Sequence, residues 1–337
     1  MMDRDEYLTN PNTNAEIYRN MTPGDRGPVP DKHLQFIAVY NDEKAILGGG
    51  NLTDRYWNGT VWYFDETEVL DRNKSFTATR TSSTVSDAAF IEGDKFILAE
   101  DGGIVQMLNV VKPPETWTVG LQSIGHTCQH DDSVTSLAVF ESKSHFVSGG
   151  MDRCLKVWET STMLAEHSYQ TAHIAIITSV DVLSKSDTVF VSTSLDSEAV
   201  IWDVRTPKPA RRLYKIDDGV GLTAVVCNPV NEHEVAMGGQ DGYVFLGDVR
   251  KPEELVYKSL EFPRPIHRLK YHPKRNWLAG CCNDTTVKVL DTSQQLSLLL
   301  ENNSHTDFVR GLAWTKDELL TCSWDSTIQR HSLTPKN

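Results

Sequence analysis

FVSGGMDRCLKVW (residues 146–158) and FVSTSLDSEAVIW (residues 190–202) share one pattern: an apolar run, small residues, an Asp, and a second apolar run ending in Trp. Each reads as two short strands around a tight turn. Working outward, the pattern returns as FILAEDGGIVQML (96–108), VAMGGQDGYVFLG (235–247), LAGCCNDTTVKVL (278–290) and LLTCSWDSTIQRH (319–331). The marker Asp series is Asp101, Asp152, Asp196, Asp241, Asp284 and Asp325, with gaps of 51, 44, 45, 43 and 41 residues. A unit of this length cannot bury its own apolar face and must stack on its neighbours. The expectation is an all-β chain folded as a β-propeller.

Upstream, LQFIAVYNDEKAILGGG supplies two strands and WNGTVWYF a third, with Asn58-Gly59 at the turn that Asp occupies later. That makes seven blades, with cores near 33–65, 84–110, 133–160, 175–205, 220–250, 265–292 and 308–333. The outer strands are KSFTATR, TWTVGLQS, MLAEHSYQ, PARRLYK, ELVYKSL and LSLLLEN, whose weaker alternation suits solvent-facing edges. Only TPKN follows the last blade's third strand, so its outer strand is expected from Asn14–Met21, closing the ring by non-local pairing. TPGDRGPVPD, rich in Pro and Gly, reads as a loop. Residues 1–32 are thus a closing segment and 33–337 the propeller.

Composition is consistent with this. Of 337 residues 39% are hydrophobic, which fits many half-exposed strands better than one thick core. Eight Trp and ten Tyr supply bulk for sheet packing. A formal net charge of −13 argues against polyanions and suits basic partners. The basic clusters ARRLYK and HPKR are short and lie in different blades, so direct nucleic-acid binding is not expected. Six Cys are scattered without a C-x-x-C, which reads as buried apolar thiols in a reducing compartment. The adjacent Cys281 and Cys282 point to opposite faces of a strand, poor geometry for a metal. No apolar signal region opens the chain, and no run approaches the roughly 18 apolar residues of a transmembrane helix.

These units resemble the WD40 family. VWE (157–159) and IWD (201–203) match its strand-end dipeptide, and two blades carry its whole polar set: His130, Ser148, Asp152 and Trp158, then His173, Ser192, Asp196 and Trp202. In the family His bonds Asp, Ser bonds His, and Trp bonds Ser, so the resemblance implies a structural role for all of them. The last blade keeps His305, Thr321 and Asp325 with His331 in place of Trp, while Trp324 sits in the turn. Gly247 and Leu290 replace Trp in two further blades. The His and Asp residues are therefore expected to be structural, with no catalytic residues, no metal and no cofactor. There is no G-x-S-x-G, H-E-x-x-H or G-x-x-x-x-G-K-S/T, and no helix follows GGG at 48–50 to cradle a phosphate.

Two departures from the generic unit point to a partner. Blade one inserts NLTDRYW (51–57), with Arg55, Tyr56 and Trp57 at its tip. Blade seven is entered through SHTDFVRGLAW (304–314), with Phe308 before the inner strand and Arg310 beyond. Large aromatics beside Arg on projecting loops are typical interface anchors. Both loops belong to one face and the blades abut, so Trp57 and Phe308 are expected on one rim.

In blade order and length, and most specifically at DRYWNGTVWYF, EHSYQTAHIAIITSV, DTVFVSTSLDSEAVIWDVRTPKPA and HTDFVRGLAW, the chain resembles the family of methylosome WD-repeat proteins, the Valois-type propellers. That resemblance implies a non-catalytic partner of the type II protein arginine methyltransferase. It further implies help in recruiting Arg-rich substrates such as Sm proteins and histone tails for symmetric dimethylation. S-adenosylmethionine would bind the methyltransferase. The resemblance also implies a cytoplasmic protein with a nuclear share and a tie to Tudor-containing germ granules. The competing reading is a substrate receptor of a cullin-type ubiquitin ligase, carried by Trp202-Asp203-Val204-Arg205 and echoed by Gly247-Asp248-Val249-Arg250.

Overall fold

The computed structural model describes residues 33–51, 58–112, 119–206, 210–216, 219–316 and 318–333. They form seven antiparallel sheets in chain order, each starting with an inner strand and proceeding outward. Blade one consists of His33–Tyr40, Lys44–Gly50, Gly59–Phe64 and Thr77–Thr81. Blades two to six repeat this plan, and blade seven holds Val309–Thr315, Glu318–Ser323 and Ile328–Ser332. The fold is thus an all-β, seven-bladed propeller. The strand expected from Asn14–Met21 lies outside the described residues.

Burial follows position in the blade. The second strands, such as His145–Gly150, are enclosed on both faces beyond their first residue and read there as continuous apolar or small residues. Outer strands such as Leu164–Tyr169 alternate exposed and half-buried side chains. The core is a set of seven apolar clusters, each shared by two neighbouring blades. One joins Leu34, Leu47 and Trp62 of blade one to Ala313, Leu320 and Cys322 of blade seven, which closes the ring. Cys281 and Cys282 enter different clusters, on opposite sides of their strand. Each fully buried Leu, Val or Phe contributes roughly 1.5–3 kcal/mol.

The marker turns share one local chemistry. The Asp side chain accepts a hydrogen bond from the amide two residues on: Cys154 to Asp152, Glu198 to Asp196, Tyr243 to Asp241 and Thr327 to Asp325. This is the turn that Asp makes with its own backbone. The residue after the Asp takes left-handed backbone at Arg153, Ser197, Gly242 and Ser326. Gly242 is required twice over, because at φ 85° an added Cβ would stand 2.0 Å from the Phe262 carbonyl oxygen. Blade two corrects the sequence reading. Its left-handed residue is Gly103, so Gly102, not Asp101, holds the marker position. Glu100 bonds the preceding loop instead, accepting from the Ser82 hydroxyl and the Ser83 amide.

Every inner strand carries a bulge against its neighbour, one residue in from its start or, in blade one, two. A bulge adds twist and re-aims the skipped side chain. Here the skipped residues all face the central channel, which holds about 1030 Å³. In blades two to five they are Ser86, Thr135, Thr178 and Thr223. Thr135 Oγ1 lies 2.9 Å from the Gly149 carbonyl in its own blade and 2.7 Å from that of Ile177 in the next. Thr178 does the same with Thr193 and Leu222. The hydroxyl ties adjacent blades together. Blades one, six and seven carry Gln35, His267 and Arg310 there instead.

Candidate docking face

The polar sets are the first candidates for chemistry. His130 Nδ1 is 2.8 Å from Asp152 Oδ2, and its Nε2 is 2.8 Å from Ser148 Oγ, which accepts from Trp158 Nε1 at 2.8 Å. His173, Asp196, Ser192 and Trp202 repeat this at 3.0, 2.7 and 2.8 Å. The proton order is set by the indole, which can only donate: Trp to Ser, Ser to His, His to Asp. Ser-His-Asp in this order resembles a hydrolase triad, yet Ser148 and Ser192 are fully buried and already engaged by Trp. No substrate carbonyl can reach either oxygen. Burial opposes ionisation of Asp196, and the His173 hydrogen bond overcomes it, leaving the carboxyl at about 2.

Blade seven builds the set differently. His305 bonds Asp325 at 2.8 Å and Thr321 at 2.7 Å, and His331 Nε2 lies 2.9 Å from Thr321 Oγ1. His331 thus supplies the N–H that Trp gives elsewhere. Burial first, then His305, holds it down at about 4, so it stands neutral at pH 7.

The arc formed by blades six, seven and one departs most from the repeat, because there the hydroxyl at the bulge is missing. Arg310 extends under Trp324, its guanidinium carbon 4.4 Å from the indole centroid and 5.3 Å from the Phe308 ring. Its Nη1 bonds His267 Nδ1 and Asn283 Oδ1, both at 3.0 Å. Burial first, then Arg310 and Arg268, pushes His267 well below its usual range, which leaves Nδ1 free to accept. Phe308 and Trp324 meet edge to face at 5.5 Å, and Trp324 meets His33 at 5.1 Å. Trp324 Nε1 donates to Gln35 Oε1 across the blade-seven to blade-one seam. Phe308 caps this stack and remains 37% exposed.

Of the sequence-derived partner residues, the structure brings Phe308 and Arg310 together, with Arg310 half-buried beneath the ring rather than projecting. Arg55, Tyr56 and Trp57 lie outside the described residues. Sequence reading missed Gln35, His267 and Trp324. The available signal was the bulge position, Ser or Thr in four blades and something else in three. Arg205 and Arg250 each fork onto the Asp two residues before them, at 2.7 and 2.6 Å for the closest contacts. Among the described residues no group of His, Cys, Asp and Glu is arranged to hold a metal ion, and no helix is long and apolar enough to cross a membrane.

The WD domain, G-beta repeat model matches residues 122–159, 166–203, 257–291 and 296–329. Against the methylosome protein WDR77 of Xenopus laevis the chain is 30% identical over 302 residues, 88% of each protein. The chain belongs to the WDR77 family of methylosome WD-repeat proteins. Protein valois of Drosophila melanogaster is similar as well, 26% identical over 299 residues, 84% of this chain and 81% of valois. A guanine nucleotide-binding protein subunit beta of Arabidopsis thaliana matches at 27% over 199 residues, 55% of this chain and 52% of that one. For a WDR77-family propeller, the coarse functional statement is a WD40 scaffold.

Proposed function

We propose that this chain is the non-catalytic propeller subunit of a methylosome. It binds a type II protein arginine methyltransferase through the rim of blades seven and one and helps recruit Arg-rich substrates, such as Sm proteins and histone tails, for symmetric dimethylation. The observation that carries this is Phe308, exposed at its tip and held from below by Arg310 and Trp324. An aromatic already fixed by its neighbours loses little freedom on binding, which is what an interface anchor needs. Trp57 and its neighbours Arg55 and Tyr56 would complete the contact. The methyl donor belongs to the methyltransferase, and the work is done in the cytoplasm with a share in the nucleus. Tudor-containing germ-granule proteins are a further class of partner.

The test is co-purification from cell extract with wild type, Phe308→Ala and Trp57→Ala, followed by methylation of an Arg-Gly-rich peptide. Each substitution should weaken recovery of the methyltransferase by roughly 2 kcal/mol, about 30-fold. Wild type that recovers no methyltransferase overturns the reading. The ubiquitin-ligase alternative draws less support, because Arg205 and Arg250 are already held by their own Asp residues. It predicts instead a cullin adaptor among the bound proteins, lost in Arg205→Ala.

A further inference from the structure

Across the channel mouth from Phe308, blades three and four expose a second apolar surface. Ile174 is 85% exposed and Met151 41% exposed. A hydrogen-bonded strip of backbone joins them. The Ala172 amide donates to the Arg153 carbonyl at 3.0 Å, tying the Met151 turn to the loop that carries Ile174. The Ile174 amide donates to Asp196 at 2.9 Å, and the Leu195 amide donates to the Ile176 carbonyl at 3.1 Å. Ile176 and Leu195 continue the strip inward, and both line the channel mouth with Met151.

Nothing in the fold requires these side chains to be apolar. The place of Ile174 is taken by Asp131 in the preceding blade and by Thr306 in blade seven. The place of Met151 is taken by Gln240 and Asn283 in blades five and six. Single exposed apolar residues are ordinary, but the exposed Met151 and Ile174, continued by the half-buried Ile176 and Leu195, form one contiguous apolar strip that marks a contact surface. Its border is acidic. Asp131 and Asp132 are exposed on the loop entering blade three, and Asp101 lines the mouth beside them, with Arg153 the one cation in these turns.

We propose that this strip binds a basic peptide segment through one aliphatic side chain, seated on Met151, Ile174 and Leu195, with its Arg or Lys residues against Asp131, Asp132 and Asp101. The apolar contact fixes position and the carboxylates select charge. Resting on the scaffold reading, such a segment would belong to an Arg-rich substrate. The strip is opposite blade seven, so both surfaces can be occupied at once.

The test is fluorescence anisotropy of the full chain with a labelled Arg-Gly peptide containing one central Leu, and with the same peptide carrying Ser there. The Leu peptide should bind roughly tenfold tighter. Ile174→Ser should erase that difference, and Asp131→Asn with Asp132→Asn should weaken both peptides and flatten their salt dependence. Ile124→Ser, on the outer strand of blade two, should change nothing. Equal binding of the two peptides, no binding of either, or an Ile174→Ser protein that still prefers Leu would overturn the proposal. Thermal melting confirms that each variant is folded. Methyltransferase co-purification, run in parallel on Ile174→Ser, should match wild type, so loss of the peptide site and loss of the scaffold reading are told apart.

Discussion

Arg268 of blade six reaches across the channel to Asp87 of blade two, Nη1 to Oδ1 at 2.8 Å. The two blades are not neighbours, so this ion pair spans the ring rather than following it. Asp87 also accepts from the Leu137 amide at 3.1 Å, which anchors the carboxylate to blade three. The side chains are 23% and 10% exposed, so removing one partner strands a mostly desolvated charge. Asp87→Ala and Arg268→Ala should each cost about 2–4 kcal/mol in urea unfolding. Replacing both by apolar residues of similar volume should recover most of that loss. Single variants as stable as wild type would show the pair to be incidental.

The buried Trp-Ser-His-Asp chains should behave as units. Ser148→Ala leaves Trp158 Nε1 and His130 Nε2 without their partner, at a cost of about 2–3 kcal/mol, with a changed near-ultraviolet signal from Trp158.

Asp196 is one of the carboxylates that set the acid limit, with Asp152, Asp248 and Asp325 also held below their usual range. The folded value of Asp196, about 2, lies below the ordinary 3.8, so its stabilisation is complete above pH 3.8 and lost as pH falls towards 2. Asp196→Asn should flatten the loss of stability across that window while lowering stability at pH 7. A variant whose acid unfolding is superimposable on wild type would refute the assignment.

How far the sequence carries the fold depends on how local the cause is. The Asp turn is made by one side chain and the amide two residues on, so it can be read from Asp152 or Asp196 directly. Blade two misleads by one residue because Gly102 and Gly103 let the turn form without Asp, while Glu100 bonds the loop. The Arg268–Asp87 pair joins positions 181 residues apart and leaves no local trace. The Phe308 stack lies between these limits. Phe308 stood out as a departure from the repeat, but Trp324 and His267 acquire their meaning only when the turn and the bulge converge on Arg310.

Arg310 occupies the bulge position that Thr fills in three blades. Arg310→Thr should therefore fold, with a thermal midpoint within a few degrees of wild type, since it removes a guanidinium whose Nε is buried without a hydrogen-bond partner among the described residues. It should nonetheless weaken methyltransferase binding at least fivefold, because Phe308 and Trp324 lose the cation packed against both rings. Unfolding would make Arg310 structural, and unchanged binding would free Phe308 from its support.

His331 gives blade seven a titratable ring at the position where blades three and four carry Trp158 and Trp202. Where they place an indole, it places an imidazole whose folded value, about 4, lies below the ordinary 6.5. The unfolded chain therefore binds the proton first. Stability falls as pH drops below 6.5 and goes on falling until about 4, the opposite of a histidine that gains an acidic partner. His331→Phe keeps a ring in the site but loses the bond to Thr321, so at pH 7.5 it should be less stable by about 1 kcal/mol. At pH 5 the order should narrow or reverse, because the wild type alone carries a penalty on the order of 1–2 kcal/mol there. His267 is also held well below its usual range and adds to the same slope in both proteins, so the difference between their thermal midpoints isolates His331. A constant difference from pH 7.5 to 5 would mean that His331 does not titrate in this window.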